Sequence, residues 1–224
     1  MRRAPGCPEP RGLFHARDQA RRTGCARYIA SRAAAAIAGH AALDALAEHG
    51  ADCHAVYLAC FGDPGLLALR ELSRVPVIGL AEAACREAAA AGRFGIVTGS
   101  AAWEPMLREF VATLGLSDAL AALRTVAPSG GAIARDPDAA LAMLAEACRA
   151  CAVSGAETVI LGGAGLAGLA GRIAPQVPVP VICSVAAGTR AVLAADVSGP
   201  ARSAPEPVES VGLGPALAAR LIDR

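Results

Sequence analysis

Short apolar runs and longer stretches of helical character alternate along most of this chain. The runs 54–60 (HAVYLAC), 76–80 (PVIGL), 94–98 (FGIVT), 123–127 (LRTVA), 157–161 (ETVIL) and 179–183 (VPVIC) are short, apolar and bounded by turn residues, so they are expected strands. The stretches 31–50, 64–74, 81–92, 103–115, 137–153, 165–174 and 184–195 read as helices, with a last one at 215–223. Strand and helix alternating at this spacing predict an α/β fold with parallel sheets flanked by helices. The segment 197–214 is rich in Pro, Ser and Gly and reads as a linker. No apolar stretch reaches ~20 residues without charge, Gly or Pro, so no membrane span is expected.

Composition narrows the picture. The chain has 224 residues, 54% of them hydrophobic, which is enough for a core in one large domain or two small lobes. Alanine fills 56 positions, and there is neither lysine nor asparagine. The formal charge of +1 is a cancellation. Residues 1–32 carry eight arginines against Glu9 and Asp18, and the remainder carries 13 arginines against 18 carboxylates. Near-zero charge argues against a nucleic-acid binder. The first 24 residues, with Pro5, Pro8 and Pro10, show no apolar period and read as an unstructured arm. Their Arg-rich, acid-poor character also fits a transit peptide, but a plain extension is the simpler reading. No apolar h-region follows the charges, so no secretory signal is expected, and the eight cysteines are expected as reduced thiols in the cytoplasm. Cys148 and Cys151 form a CxxC inside a helical pattern with no second ligand pair. His15, His40, His49 and His54 lack metal-ligand spacing. No metal and no cofactor are expected.

An internal repeat organises the chain. Residues 56–85 and 159–189 both run strand, Gly-rich turn, helix, Pro-led strand, small-residue helix, with PVIGLAEAA (76–84) aligned on PVICSVAAG (180–188) and LACFG (58–62) on LGGAG (161–165). Two similar lobes follow. Ligands of open α/β sheets sit outside the carboxyl ends of strands, so Cys60 and Gly163 stand at equivalent sheet mouths.

In the turn Cys60-Phe61-Gly62-Asp63-Pro64-Gly65, Gly62 permits positive φ, Asp63 suits an N-cap and Pro64 a first helical position. That places the Cys60 thiol beside a helix N-terminus, which lowers a thiol pKa and leaves backbone N–H groups for a carboxylate or oxyanion. The free-cysteine alternative is simple packing, which is the reading for Cys53, Cys85, Cys148 and Cys151. The second turn contains Gly163-Ala164-Gly165-Leu166-Ala167-Gly168, a GxGxxG pattern, but no acid occurs between Glu157 and Asp196 to hold a ribose. A tight turn approaching a small anion fits better than a dinucleotide site.

The string AVYLACFGDPGLLALRELSRVPVIGLAEAA closely resembles the hydantoin racemase branch of the aspartate/glutamate racemase superfamily. The likeness continues through RFGIVTGSAAWEPMLREFVATLGL and ETVILGGAGLAGLA to PVICSVAAG, over roughly residues 26–195. The resemblance implies two pseudo-symmetric lobes with the active site between them. It divides the chain into a non-family arm 1–25, a first lobe 26–93 to which 215–224 returns, and a second lobe 94–199. It implies cofactor-independent racemisation by two cysteines on opposite faces of a carbon, and a homo-oligomer acting on a hydantoin or amino-acid derivative. Cys60 matches the first family cysteine. Phe61, Gly62 and Asp63, with Gly163, Ala164 and Gly165 of the second turn, are the candidate substrate contacts.

Two departures stand out. The second family cysteine belongs to a GCAG-type turn that here is Gly162-Gly163-Ala164-Gly165, and the Asn-Pro-Asn-Thr motif of the first family strand is impossible without asparagine. Against the family pattern, the arm is expected to stand where a βα unit belongs, as a shifted reading frame or start would produce. Thr98 and Ser100, at the mouth of strand 94–98, are either substrate hydrogen-bonders or turn hydroxyls. Glu82 reads as an N-terminal helix charge and Trp103 as core or hinge. Two function classes remain: a racemase-like isomerase or other single-thiol enzyme such as a decarboxylase, and a catalytically degenerate small-anion binder.

Overall fold

The computed structural model describes residues 28–127, 130–197, 206–207 and 209–222. The arm 1–25 and the middle of the 197–214 linker lie outside the described residues. Helix α1 (Arg32–His49) starts where Ser31 Oγ accepts the Ala34 N–H at 3.1 Å and stops at Gly50. Strand β1 (Val56–Leu58) leads through the Cys60 turn to α2 (Leu66–Leu72), and β2 (Val77–Gly79) passes directly into α3 (Leu80–Ala91). Strand β3 (Phe94–Gly99), α4 (Trp103–Thr113), β4 (Leu120–Val126), the short α5 (Gly130–Ile133) and α6 (Pro137–Val153) follow. After β5 (Thr158–Leu161) come α7 (Leu169–Ile173), β6 (Val181–Cys183), α8 (Ser184–Leu193) and α9 (Pro215–Ile222), which packs on α1.

The strands form two parallel sheets, β1-β2 and β4-β3-β5-β6, flanked by helices as expected. Several elements are shorter than the apolar runs. Strand 54–60 contracts to Val56–Leu58 and helix 64–74 to Leu66–Leu72, because the flanking residues are spent on turns. Helix 165–174 becomes a 3₁₀ turn, Ala164–Leu166, followed by α7.

The repeat is exact in register. Leu58 pairs with Gly79 in the first sheet, and Leu161 pairs with Cys183 in the second. Gly65 and Gly168, each one residue before the following helix, both adopt φ 80. The equivalent helices α3 and α8 pack on each other, and α8 also covers β1 and β2. One core lies between α6, α7 and one face of the larger sheet, around Leu144, Cys148, Val159 and Leu161. Another joins the halves, with Phe61, Leu80 and Ala84 against Ile96, Ile160 and Ala187. The first sheet keeps only a small core of its own: Leu46, Leu66, Leu69 and Val77.

Candidate active site

Cys60 stands two residues beyond β1, half buried, in a turn closed by the Asp63 N–H donating to the Cys60 carbonyl at 3.0 Å. Gly62 has φ 106, as expected of its place, and Asp63 itself has φ 46. The turn then makes another hydrogen bond, Leu66 N–H to Asp63 carbonyl at 3.1 Å, before the helix begins. This corrects the expected cap. Gly65, not Asp63, precedes α2, and Pro64 lies outside the helix, so Cys60 is separated from the helix start by a full extra turn.

Asp63 points inward instead. Its Oδ1 accepts the Ala81 N–H at 2.9 Å and its Oδ2 the Glu82 N–H at 2.7 Å, so the turn caps α3 through donors 18 and 19 residues further on. The residue before α3 is Gly79, which offers no side chain, and a Cβ there would overlap the Asp63 carboxylate. Only 4% of Asp63 is exposed, so it is not an open substrate contact. Burial pushes its carboxyl up to about 7, against the two N–H groups, with Glu82 adding to the rise and Arg70 opposing it. Burial also pushes Glu82 up, but hydrogen bonds from Arg86 and Arg70 outweigh it and hold that carboxyl below its ordinary range. The two guanidiniums lie 2.8 and 2.6 Å from it, and Arg70 Nε donates to the Val77 carbonyl at 3.0 Å. Glu82 is thus the first-turn charge of α3 that its position suggests, itself buried but held by two partly exposed arginines.

The second turn is built from backbone. Gly162 N–H donates to the Val97 carbonyl at 2.8 Å, and Thr98 Oγ1 donates to the Gly162 carbonyl at 2.8 Å. Thr98 is buried and ties β3 to this turn. Gly163 has φ 134 and ψ 140, a conformation suited to glycine, and its N–H donates to Ser184 Oγ at 3.1 Å. Ala164 and Gly165 enter the 3₁₀ turn that follows. Ser100 has φ 74, its N–H donates to the Val126 carbonyl at 2.8 Å, and its own carbonyl accepts from Trp103. It therefore shapes the β3–α4 turn.

The two turns meet. Phe61 is buried, and its ring lies so close over Gly162 that a Cβ at 162 would overlap it. On the other side of the first turn, the Trp103 ring covers Gly62, leaving a Cβ only 2.6 Å from Cζ3. Trp103 is core, as expected, and also walls a cavity of about 250 Å³ with Arg32, Gly62, Pro64, Glu109 and Phe110. Neither Cys60 nor the second turn lines that cavity, so it lies behind the turn and not between the two sheet mouths.

Two residues of this region escape sequence reasoning. Tyr57 Oη donates to the Val185 carbonyl at 3.2 Å, linking β1 to α8, and burial pushes its phenol up to about 12. Ser184 holds the second turn. Its one available signal was alignment with the residue after PVIG, which marks the start of the packed helix pair. Cys85, Cys148 and Cys151 are fully buried, and burial pushes their thiols up to about 12, 12 and 11, as packing cysteines require. No helix among the described residues is long and apolar enough to cross a membrane.

Comparison with known proteins places this geometry. A sequence profile described as Asp/Glu/Hydantoin racemase matches residues 14–192. The hydantoin racemase of Pseudomonas sp. (strain NS671) is 38% identical over 145 residues, 64% of this chain and 57% of that protein, so the match spans little more than half of the relative's length. The allantoin racemase from Klebsiella pneumoniae superposes with a TM-score of 0.75 at 33% identity, covering 85% of this chain and 81% of that one. The allantoin racemase of Pseudomonas fluorescens gives a TM-score of 0.78 at 25% identity, covering 88% and 93%. With profile, sequence and fold in agreement over most of its length, the chain belongs to the Asp/Glu/hydantoin racemase family.

Proposed function

We propose that this chain moves a proton at an acidic C–H carbon of a small cyclic ureide, a hydantoin or allantoin, with the Cys60 thiolate as base and without a cofactor. The observation that carries this reading is the contact of Phe61 with Gly162, which sets the Cys60 turn against the Gly163 turn. Carbon 5 of such a ring is flanked by a carbonyl, so the electron pair left on deprotonation spreads onto oxygen. A base poised within hydrogen-bond reach then suffices for exchange. The substrate class comes from the hydantoin and allantoin racemases that the chain resembles. Gly163 favours a one-thiol version of the chemistry, because the position that the family resemblance fills with a second cysteine has no side chain. Cys60 then serves one face, and water serves the other.

Incubation in heavy water with single enantiomers of 5-substituted hydantoins and allantoin tests this, with the C–H signal followed by NMR and optical rotation read in parallel against buffer. Deuterium uptake is expected above the buffer rate, reduced by about 10²-fold or more in Cys60→Ala. Uptake that outruns loss of rotation supports the one-thiol version. No uptake above buffer with any of these compounds ends the isomerase reading and leaves the small-anion binder.

A further inference from the structure

Both carboxylate oxygens of Asp63 accept hydrogen bonds from a helix that is not its own. Its two oxygens take the Ala81 and Glu82 N–H groups in the first turn of α3, and its backbone N–H closes the turn onto the Cys60 carbonyl. The carboxylate therefore ties the Cys60 turn to the start of α3 by two hydrogen bonds, beside the apolar packing of Phe61 in the cluster that holds Leu80 and Ala84. The opposite side of the contact is equally specific, since Gly79 is the one residue type that leaves room for it. The second half of the molecule shows what happens without it. There, by register, Leu166 stands in place of Asp63 and Cys183 in place of Gly79, and the tie between turn and helix is of another kind: Ser184, the first residue of α8, accepts the Gly163 N–H through its Oγ. The half that carries the candidate base is tied by a buried carboxylate with two hydrogen bonds, and the half that carries Gly163 by a single serine hydroxyl.

We propose that Asp63 is a positioning residue for Cys60, fixing the thiol at the sheet mouth by strapping its turn to the start of α3. This deepens the proposed function and rests on Cys60 being the base. The ionised carboxylate is the effective form. It accepts both N–H groups at the positive end of a 12-residue helix, whereas a protonated carboxyl gives up part of that attraction. The charged or titratable groups around it are Arg70 from α2, Glu82, Cys85 and Arg86 from α3, and Tyr57 from β1. Among these carboxyls, Glu82 is held ionised by its two arginines, so Asp63 is the one placed to change charge near neutrality.

The test compares the intact chain with Asp63→Asn and Gly79→Ala, each checked for folding by circular dichroism. Asn keeps one acceptor but turns an NH₂ group toward the second N–H, and the alanine methyl pushes the carboxylate away from the other side. For the exchange reaction, kcat is expected to fall about tenfold or more in both variants with KM little changed, as misplacement of a reacting group costs. The pH profile of log kcat is expected to show a step of about that size near pH 7 in the original chain that is absent in Asp63→Asn. A separate arm needs no substrate: alkylation of Cys60 by iodoacetamide, resolved by peptide mass spectrometry across pH 5–9. Here the original chain should show a second inflection near pH 7 that Asp63→Asn lacks. Folded Asp63→Asn with the same alkylation curve and the same pH profile overturns the proposal. A changed alkylation curve without any substrate exchange supports the strap while removing the racemase reading.

Discussion

Gly163 makes the strictest conformational demand in the second turn. At φ 134 and ψ 140 it lies where L residues rarely go, although its surroundings are roomy: a Cβ would meet only the Leu166 side chain, at 3.8 and 3.9 Å. Restoring a thiol by Gly163→Cys is therefore limited by backbone and not by space. The variant is expected to lose about 1–3 kcal/mol in urea denaturation, the usual cost of holding a side chain in such a conformation. Unchanged stability would mean that the turn relaxes to an extended form, and in that case racemisation should rise. Cys60 and the glycine turns were legible in the sequence because they depend on local rules: a strand end, a positive φ, a tight turn. Asp63 was not. A local reading of Asp-Pro gives a helix cap, and nothing local announces that the acceptor's partners are the N–H groups of Ala81 and Glu82.

At the scale of elements, the Asp63 strap exchanges stability for placement. Burial lifts its carboxyl from an ordinary value of 3.8 to about 7, so between those values the folded chain holds a proton that the unfolded chain has released. The associated stability is fully present below about pH 4 and is lost as pH rises through 7. Glu82 works the other way, and its contribution disappears only when pH falls through its lowered value, in a more acidic window. The melting temperature of the original chain should therefore drop between pH 5 and 8 by several degrees relative to Asp63→Asn, at ~2–4 °C per kcal/mol for this chain length. Parallel melting curves over that range would show that Asp63 does not titrate there. Strand and helix identity was readable from the alternation of apolar runs, and 137–153 was readable to the residue because Asp136 caps it and Pro137 opens it. The ends of 54–60 and 64–74 were not. The backbone between them makes the Asp63 and Leu66 turn bonds, and those depend on a cap supplied to another helix.

Across the whole molecule, the repeat produces two halves of the same register but unequal depth. In the larger sheet β3 and β5 are buried along their full length, between α6 and α7 on one face and α3, α4 and α8 on the other. The smaller sheet has two three-residue strands, and β1 is only half buried. A two-stranded sheet is marginal alone. Its placement depends on what grips it from outside: α8 packed over both strands, Tyr57 donating to the Val185 carbonyl, and Phe61 seated on Gly162. Cys60 thus rides on the shallower half and is held by contacts with the deeper one. Native-state hydrogen exchange should reveal this asymmetry. Amides of β3 and β5 are expected to exchange only through global unfolding, and those of β1 and β2 through a smaller opening of lower free energy. Tyr57→Phe removes one grip and leaves the deeper half intact. It should speed exchange in β1 and β2 by about fivefold or more, the worth of one hydrogen bond of ~1 kcal/mol, with β3 and β5 affected only to the extent that global stability falls. Equal protection of all four strands, or acceleration confined to the larger sheet, would contradict this division of the molecule into a deep half and a gripped one.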